Sequence, residues 1–403
     1  MPTNWAGVTI EKLQKTGQWE FIKKIKNNPN ETQLLLGVAG SGKTLVAAIA
    51  LAELQSSKNI ELLVFTNLLE QYIRQNFEDK SVSLAVDHYH SWVHKNPSPR
   101  KDIFIVDEAQ DFQKEWIEKV KSNSQSQIWV GDIQQQIYIK PRNDNGFIDE
   151  INTLKESQKT IFEINHRSSL KNARFASNFI TITPDEQAEG LTLEKKQANF
   201  LDPIKKSDKK RNESPVTLIK ADSIEQEYET IIKLIQQIQN NKEQKSRRIA
   251  IAHLRHNKSE KDTVDISVDR ISLELTQRGV LHYRKEKEFN HTNLPDFSDD
   301  NLIVVSPISS LKGLEFDHIF FPHSEYASFF DDPIIRDNLL FVLFTRASQG
   351  VYCSYVDEQT SYVWDRIKDE RDLDEYIVKN DAKDILNPSS GNSNTTSPNV
   401  INI

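Results

Sequence analysis

The run Gly37-Val38-Ala39-Gly40-Ser41-Gly42-Lys43-Thr44 fits the pattern GxxxxGK[ST]. It lies between an apolar run, Gln33 to Leu36, and a helix-like stretch that begins at Thr44. A strand that hands such a loop to the start of a helix belongs to α/β architecture. Glycines at 37, 40 and 42 let the backbone turn so that successive N–H groups point at phosphate oxygens, at the positive end of the following helix. Ala39 and Ser41 lie in the same loop. Lys43 is then placed to reach the β- and γ-phosphates, and the Thr44 hydroxyl to ligate Mg²⁺. The pattern predicts a nucleoside triphosphate site.

With 403 residues the chain exceeds one typical domain, and two is the simplest division. Its apolar fraction of 37% suffices for real cores, while no stretch approaches the ~20 consecutive apolar residues of a membrane span. The start, Met1 to Lys15, lacks the apolar centre of a secretion signal. Cys353 is the only cysteine, which excludes an internal disulfide framework, fits a reducing cytoplasm and suggests a small buried hydrophobe. A net charge of −8 argues against a sequence-specific DNA binder. It leaves room for a motor that grips one strand in a narrow groove.

Short apolar runs alternate with helix-like stretches: Gln33 to Leu36, Leu62 to Thr66, Ile103 to Val106 and Ile128 to Val130. A second set comprises Val216 to Ile219, Ile249 to Ala252, Leu302 to Val305, His318 to Phe321 and Gly350 to Tyr355. Runs of this kind suit parallel strands covered on both faces. Two α/β domains are expected, over residues 1–158 and 159–380, with 381–403 a disordered tail rich in Ser, Asn, Thr and Pro. Ile204 to Ser214, with its lysines, reads as a solvated loop, with contact to a phosphate backbone as the rival reading.

Ile103-Phe104-Ile105-Val106 delivers Asp107-Glu108-Ala109-Gln110-Asp111 to its carboxyl end, where ligands sit in parallel sheets. Asp107 there is suited to hold Mg²⁺ and Glu108 to polarise an attacking water. With these residues the chain resembles superfamily 1 helicases of the UvrD/Rep/PcrA type. Further segments match in the family's order: Phe65-Thr66-Asn67, Tyr89-His90-Ser91, Gly131-Asp132 with Gln135 and Ile137-Tyr138, Asn165-His166-Arg167-Ser168, Lys312-Gly313-Leu314-Glu315-Phe316 and Thr345-Arg346-Ala347.

The resemblance implies two RecA-like P-loop domains with parallel sheets, ATP and Mg²⁺ in the cleft between them, and a single-stranded DNA partner, with RNA as the alternative. Arg167 and Arg346, from the second domain, fit the role of arginine fingers that neutralise the γ-phosphate. Gln135 would sense that phosphate. Glu315, beside Gly313, would bind the ribose, His166 stands where the family stacks a Tyr on adenine, and Gln18 would read the base. Phe65, Thr66, Asn67, Tyr89 and His90 would line the strand groove, with Phe65, Tyr89 and Trp92 as candidates for base stacking. A zinc site at His88, His90 and His94 has no accompanying cysteine and is disfavoured.

The match departs in places. Tyr138 is followed by Ile139-Lys140-Pro141 where the family has Gly-Trp-Arg, and Ser309 replaces a His. Larger relatives insert accessory domains after the His90 region and before Lys312. Here the stretch Trp92 to Asp102 is too short, and the second gap holds only a helix (Arg270 to Arg278), a strand and the polar loop Lys285 to Asp300. The expectation is a compact helicase or translocase that depends on a nuclease or another partner protein for grip. A nucleic-acid-stimulated ATPase switch that signals to an associated nuclease or effector without unwinding, and a degenerate binding scaffold, are the alternatives.

Overall fold

A computed structural model of the protein describes residues 5, 7–77, 84–95, 99–132, 135, 146–182, 186–187, 190–205, 214–243, 246–253, 267–285, 294–329, 332–356, 361–370 and 372–388. The chain forms two compact units, one of Met1–His166 with Lys312–Leu314, the other of Arg167–Leu311 with Glu315–Ile403.

The first unit is built on β1 (Gln33–Gly37), β2 (Ile60–Val64), β3 (Val86–His88), β4 (Lys101–Val106), β5 (Ser124–Gly131) and β6 (Lys159–Phe162). Their order is β3-β2-β4-β5-β1-β6, with every pair parallel. Central strands buried on both faces need near-continuous apolar sequence, and β2 and β4 supply it. Helices α1 (Ile10–Lys15) and α2 (Gln18–Asn27) precede the first strand, and α3 (Lys43–Leu54) and α4 (Asn67–Asn76) are among those that connect the strands. The core beneath gathers Leu34, Leu63, Phe104, Val106, Trp129 and Phe147.

The second unit repeats the scheme with β7 (Val216–Lys220), β8 (Ile249–His253), β9 (Tyr283–Arg284), β10 (Ile303–Pro307), β11 (Phe316–Phe321), β12 (Ala347–Tyr355) and β13 (Ile377–Asp381), in the order β13-β7-β12-β11-β8-β10-β9. All pairs are again parallel. The helix Ile224–Asn240 is capped by the Ser223 side chain, which accepts from Gln226 N–H. It packs Tyr228, Ile231, Ile235 and Ile238 on the sheet, an i, i+3, i+4 pattern. Cys353 is fully buried on β12, as a small apolar residue.

The α/β class with parallel sheets is thus as expected. The boundary expected at 158 is corrected, because Lys159–Phe162 pairs with β1 as an edge strand and the first unit runs to His166. That strand is short and partly exposed, so no apolar run announces it. Residues 381–388 do not join the tail: β13 ends at Asp381 and a helix spans Ala382–Leu386. Residues 389–403, 137–141 and 206–213, on which other expectations fell, lie outside the described residues. No helix among those described is long and apolar enough to cross a membrane.

One core residue gives the second unit a pH signature. His318 on β11 is 2% exposed, and burial pushes its pKa down to about 4 against a smaller upward pull from Asp317. A base depressed on folding contributes stability that is complete above its unfolded value of 6.5 and is lost as pH falls through about 4. Full loss amounts to roughly 3 kcal/mol. His318→Phe, which keeps a ring but cannot charge, should flatten the fall in urea-unfolding stability across that window. An acid limb identical to wild type would show that His318 is not its source.

Candidate nucleotide site

Because β4, β5 and β1 are neighbours in the sheet, their carboxyl ends bring Asp107, Asp132 and the 37–44 loop together. The loop turns on Gly40 (φ 70°) and Gly42 (φ 86°), and α3 starts at Lys43, one residue before the expected Thr44. At Gly42 the left-handed backbone favours glycine, and any Cβ would also push the Gln18 amide aside. Lys43 folds back over the loop, and its Nζ donates to Gly37 O at 2.7 Å and Val38 O at 3.1 Å. Incoming phosphate oxygens would compete with these carbonyls for the ammonium.

Thr44 Oγ1 donates to Asp107 Oδ2 at 2.7 Å. Mg²⁺ holds oxygens about 2.0–2.1 Å away in an octahedron, which places adjacent ligands about 2.9 Å apart. The Thr44–Asp107 spacing therefore fits two cis ligands of one such ion. Among the described residues no group of three His, Cys, Asp or Glu side chains could hold a metal alone. An ion here would complete its shell with phosphate and water, which is how Mg²⁺ is commonly held. Asp107 is 1% exposed, and burial followed by the charge of Glu108 raises its pKa to about 6 against the help of Thr44 and Lys43. A cation at this point would relieve that cost.

Glu108 adopts φ 54°, a left-handed conformation that costs a non-glycine residue about 1–2 kcal/mol. Its N–H donates to Asp107 Oδ1 at 3.0 Å and its carbonyl accepts from Asp111 N at 3.0 Å. Its side chain enters a closed circuit. Gln110 Nε2 donates to Glu108 Oε2 (2.5 Å), Asp132 N to Gln110 Oε1 (3.0 Å), and Gln135 Nε2 to Asp132 Oδ2 (2.6 Å). Lys312 Nζ then donates to Gln135 O (2.9 Å) and lies 3.5 Å from Glu108 Oε2. Lys312 also forms an ion pair with Asp111 and is fully buried. A Cβ on Gly131 would stand 2.7 Å from Gln110 Oε1, so that glycine keeps the circuit's path open. Gln110, Asp111, Asp132 and Lys312 stand inside the quoted motifs without an assigned role. Only the fold brings Lys312 to Gln135, 177 positions away.

Other residues of the first unit singled out in the sequence make contacts within the protein. Gln18, expected to read the base, has both ends of its amide engaged: Nε2 donates to Ser41 O at 2.7 Å and Oε1 accepts from Thr16 Oγ1 at 2.9 Å. His166 donates its backbone N–H to Gly40 O at 2.8 Å. Gly313 (φ 84°) lies so close to Leu69 that a Cβ would collide with it. Phe65 and Tyr89, expected to offer faces to bases, instead stack on each other at 4.6 Å and are 4% and 3% exposed. Trp92 is wholly in the core. Aromatic burial prevails here because these rings close the space over β2 and β4. The same stack, with His88 Nε2 2.9 Å from Phe65 O, joins the 65–67 and 88–90 segments. Thr66 caps α4 by accepting from Leu69 N at 3.1 Å, while Asn67 is half-buried and His90 exposed.

In the second unit, Arg346, Glu315 and Arg248 each immediately precede a strand, β12, β11 and β8, and these strands are adjacent. Arg167 pairs with Glu315 and donates to Thr345 O at 3.3 Å. Arg346 Nε donates to Val342 O at 3.3 Å. Desolvation alone would raise the Glu315 pKa, but Arg167, with Arg248 and Arg346, outweighs it and holds the carboxyl below its ordinary value. Arg167, Arg346 and Glu315 thus form one cluster, joined by Arg248, which no motif had flagged.

Fold and loop define the first unit as a P-loop α/β nucleotide-binding domain, and residues 14–153 match the AAA domain family model. No curated protein matches the chain. Among solved structures it is similar to the C-terminal domain of a possible DNA helicase from Lactobacillus plantarum WCFS1, at 14% identity and a TM-score of 0.32. That match covers 53% of this chain and 98% of the other.

The loop geometry predicts that Gly42→Ala, strained in φ and displacing the Gln18 amide, weakens binding of a fluorescent ATP analogue at least about tenfold, the equivalent of 1.4 kcal/mol within the 1–3 kcal/mol range for such strain. Unchanged affinity would mean that the loop does not hold phosphate in this form.

Proposed function

We propose that the protein is an ATP-dependent, UvrD-like helicase or single-strand translocase that hydrolyses ATP with residues of both units. The observation that carries this reading is the grouping, in one unit, of Lys43, the Thr44–Asp107 pair and Glu108 at the carboxyl ends of β1 and β4, which flank β5 in the sheet. Loop N–H groups and Lys43 bind the phosphates. Thr44 and Asp107 would hold Mg²⁺, which when bound neutralises phosphate charge. Glu108 orients a water and accepts its proton as the water attacks the γ-phosphorus and the bond from that phosphorus to the β,γ-bridging oxygen breaks, releasing ADP and inorganic phosphate, while Gln135 registers the γ-phosphate. Arg167 and Arg346 complete the site by stabilising charge on the transferring group, and Glu315 exchanges its arginine partner for the ribose.

Two features support a strand partner. The 65–67 and 88–90 segments are tied together by the Phe65–Tyr89 stack, and polar Asn67 and His90 remain accessible beside it. With the rings buried, binding rests on phosphate contacts more than on base stacking, so affinity for single-stranded DNA should be modest, insensitive to sequence and steeply salt-dependent. RNA is the alternative strand. A partner protein, a nuclease among the candidates, would supply the grip that short connections after Trp92 and before Lys312 do not.

Glu108→Gln should retain ATP binding but lose turnover by roughly 10²–10⁴-fold, whereas Lys43→Ala should weaken binding as well. Steady-state ATPase and nucleotide titration separate the two, and a Glu108→Gln enzyme with more than about a tenth of wild-type turnover would remove Glu108 as the base. Arg167→Ala and Arg346→Ala should each lower kcat by roughly 10³-fold with a smaller effect on ATP affinity. Equal losses in both would mark them as ground-state anchors. Stimulation by an oligonucleotide without strand displacement or translocation, alone or with a partner, would favour the switch, and absence of ATPase the scaffold.

A further inference from the structure

We infer that Lys312 is the positioning residue through which the strand-contacting segment reaches Glu108, so that the buried polar circuit, and not the nucleotide alone, sets the state of the hydrolytic carboxylate. The inference rests on the proposed roles of Glu108 and of residues 65–67.

Lys312 is a fully buried ammonium surrounded on several sides. Asp111 is its ion-pair partner, Gln135 O accepts from it at 2.9 Å, and Glu108 Oε2 stands 3.5 Å away. The Phe65 ring centroid is 5.6 Å from Nζ, within cation–π range. The backbone of the same residue is held too: Thr66 Oγ1 donates to Lys312 O at 3.4 Å, and Gly313 packs tightly against Leu69. One residue therefore touches Phe65 and Thr66 on one side and Asp111, Gln135 and Glu108 on the other.

A buried ammonium has three N–H groups, and its acceptors here are mutually linked, so a displacement of one redistributes the rest. If a strand pulls Phe65–Thr66, Lys312 shifts among Asp111, Gln135 and Glu108, and the Glu108 carboxylate turns toward or away from the water it must orient. An ion pair present only for stability would need neither the contact with Glu108 nor the one with Phe65. Lys312–Leu314 also packs with the first unit while Leu311 and Glu315 on either side belong to the second. The segment has been recruited to this circuit across the chain.

The test uses the full chain and measures kcat and KM for ATP with and without an oligothymidylate. In wild type, kcat rises with the oligonucleotide. In Lys312→Met, ATP KM and oligonucleotide affinity should persist while strand-stimulated kcat falls by about 10²-fold, the order of cost of a 1 Å misplacement. The ratio of stimulated to unstimulated kcat should approach one, and Lys312→Arg should restore part of it. Because Lys312→Met leaves Asp111 without its cation, Asp111→Asn/Lys312→Met provides a charge-balanced variant whose melting curve and nucleotide binding confirm folding. It should be equally unresponsive. Stimulation equal to wild type in the folded double variant would overturn the inference and leave the proposed function standing. Loss of ATP binding in that variant would also overturn it. A wild type that ignores the oligonucleotide, or a Glu108→Gln enzyme that turns over normally, would overturn the underlying reading, and the inference with it.

Discussion

The hydrogen bond between Thr44 and Asp107 joins the two halves of the first unit's chemistry. It connects the first turn of α3 to the end of β4 across β5 and β1, and the sheet order exists to make that meeting geometrically cheap. Asp107 is buried beside another carboxylate, and its raised pKa records how poorly this ground state suits a charge. A hydroxyl can satisfy one lone pair, but only a cation can offset both the desolvation and the repulsion from Glu108. The site therefore carries an electrostatic cost that a cation would relieve, and beside it Glu108 holds a strained φ of 54°.

Much of this was readable in the sequence, for a physical reason. Phosphate binding needs glycines at fixed offsets and a lysine at the helix start, so the loop is a local pattern, and buried strand segments such as Leu62–Val64 and Ile103–Val106 need apolar residues in succession. Elements with weaker demands were missed: the edge strands Lys159–Phe162, Val86–His88 and Ile377–Asp381 are short or polar and only partly buried, so no continuous apolar run marks them. The missed strand at 159–162 moved the unit boundary.

The candidate site was legible to the extent that its parts are local. Lys43, Thr44, Asp107 and Glu108 follow from two short motifs, whereas Lys312 could not be placed, since its charge is satisfied by residues from distant parts of the sequence. Phe65 and Tyr89 show a second limit of local pattern. An aromatic residue just past a strand end can face a ligand or close a core, and sequence does not decide between them. Packing does, and here each ring found the other. Arg248 escaped notice because a single arginine before a strand has no pattern, and only the adjacency of β8 and β11 gives it a place beside Glu315.

The central claim is that the 37–44 loop together with the Thr44–Asp107 pair receives a Mg²⁺-bound nucleoside triphosphate. Hydrogen–deuterium exchange on the full chain, with and without Mg²⁺ and a non-hydrolysable ATP analogue, addresses it directly. The account predicts slowed exchange of the amides from Ala39 to Val46 and around Asp107 when both are present, and little change with the analogue in the presence of a chelator. Equal exchange in all conditions, or protection confined to residues away from the loop, would contradict it.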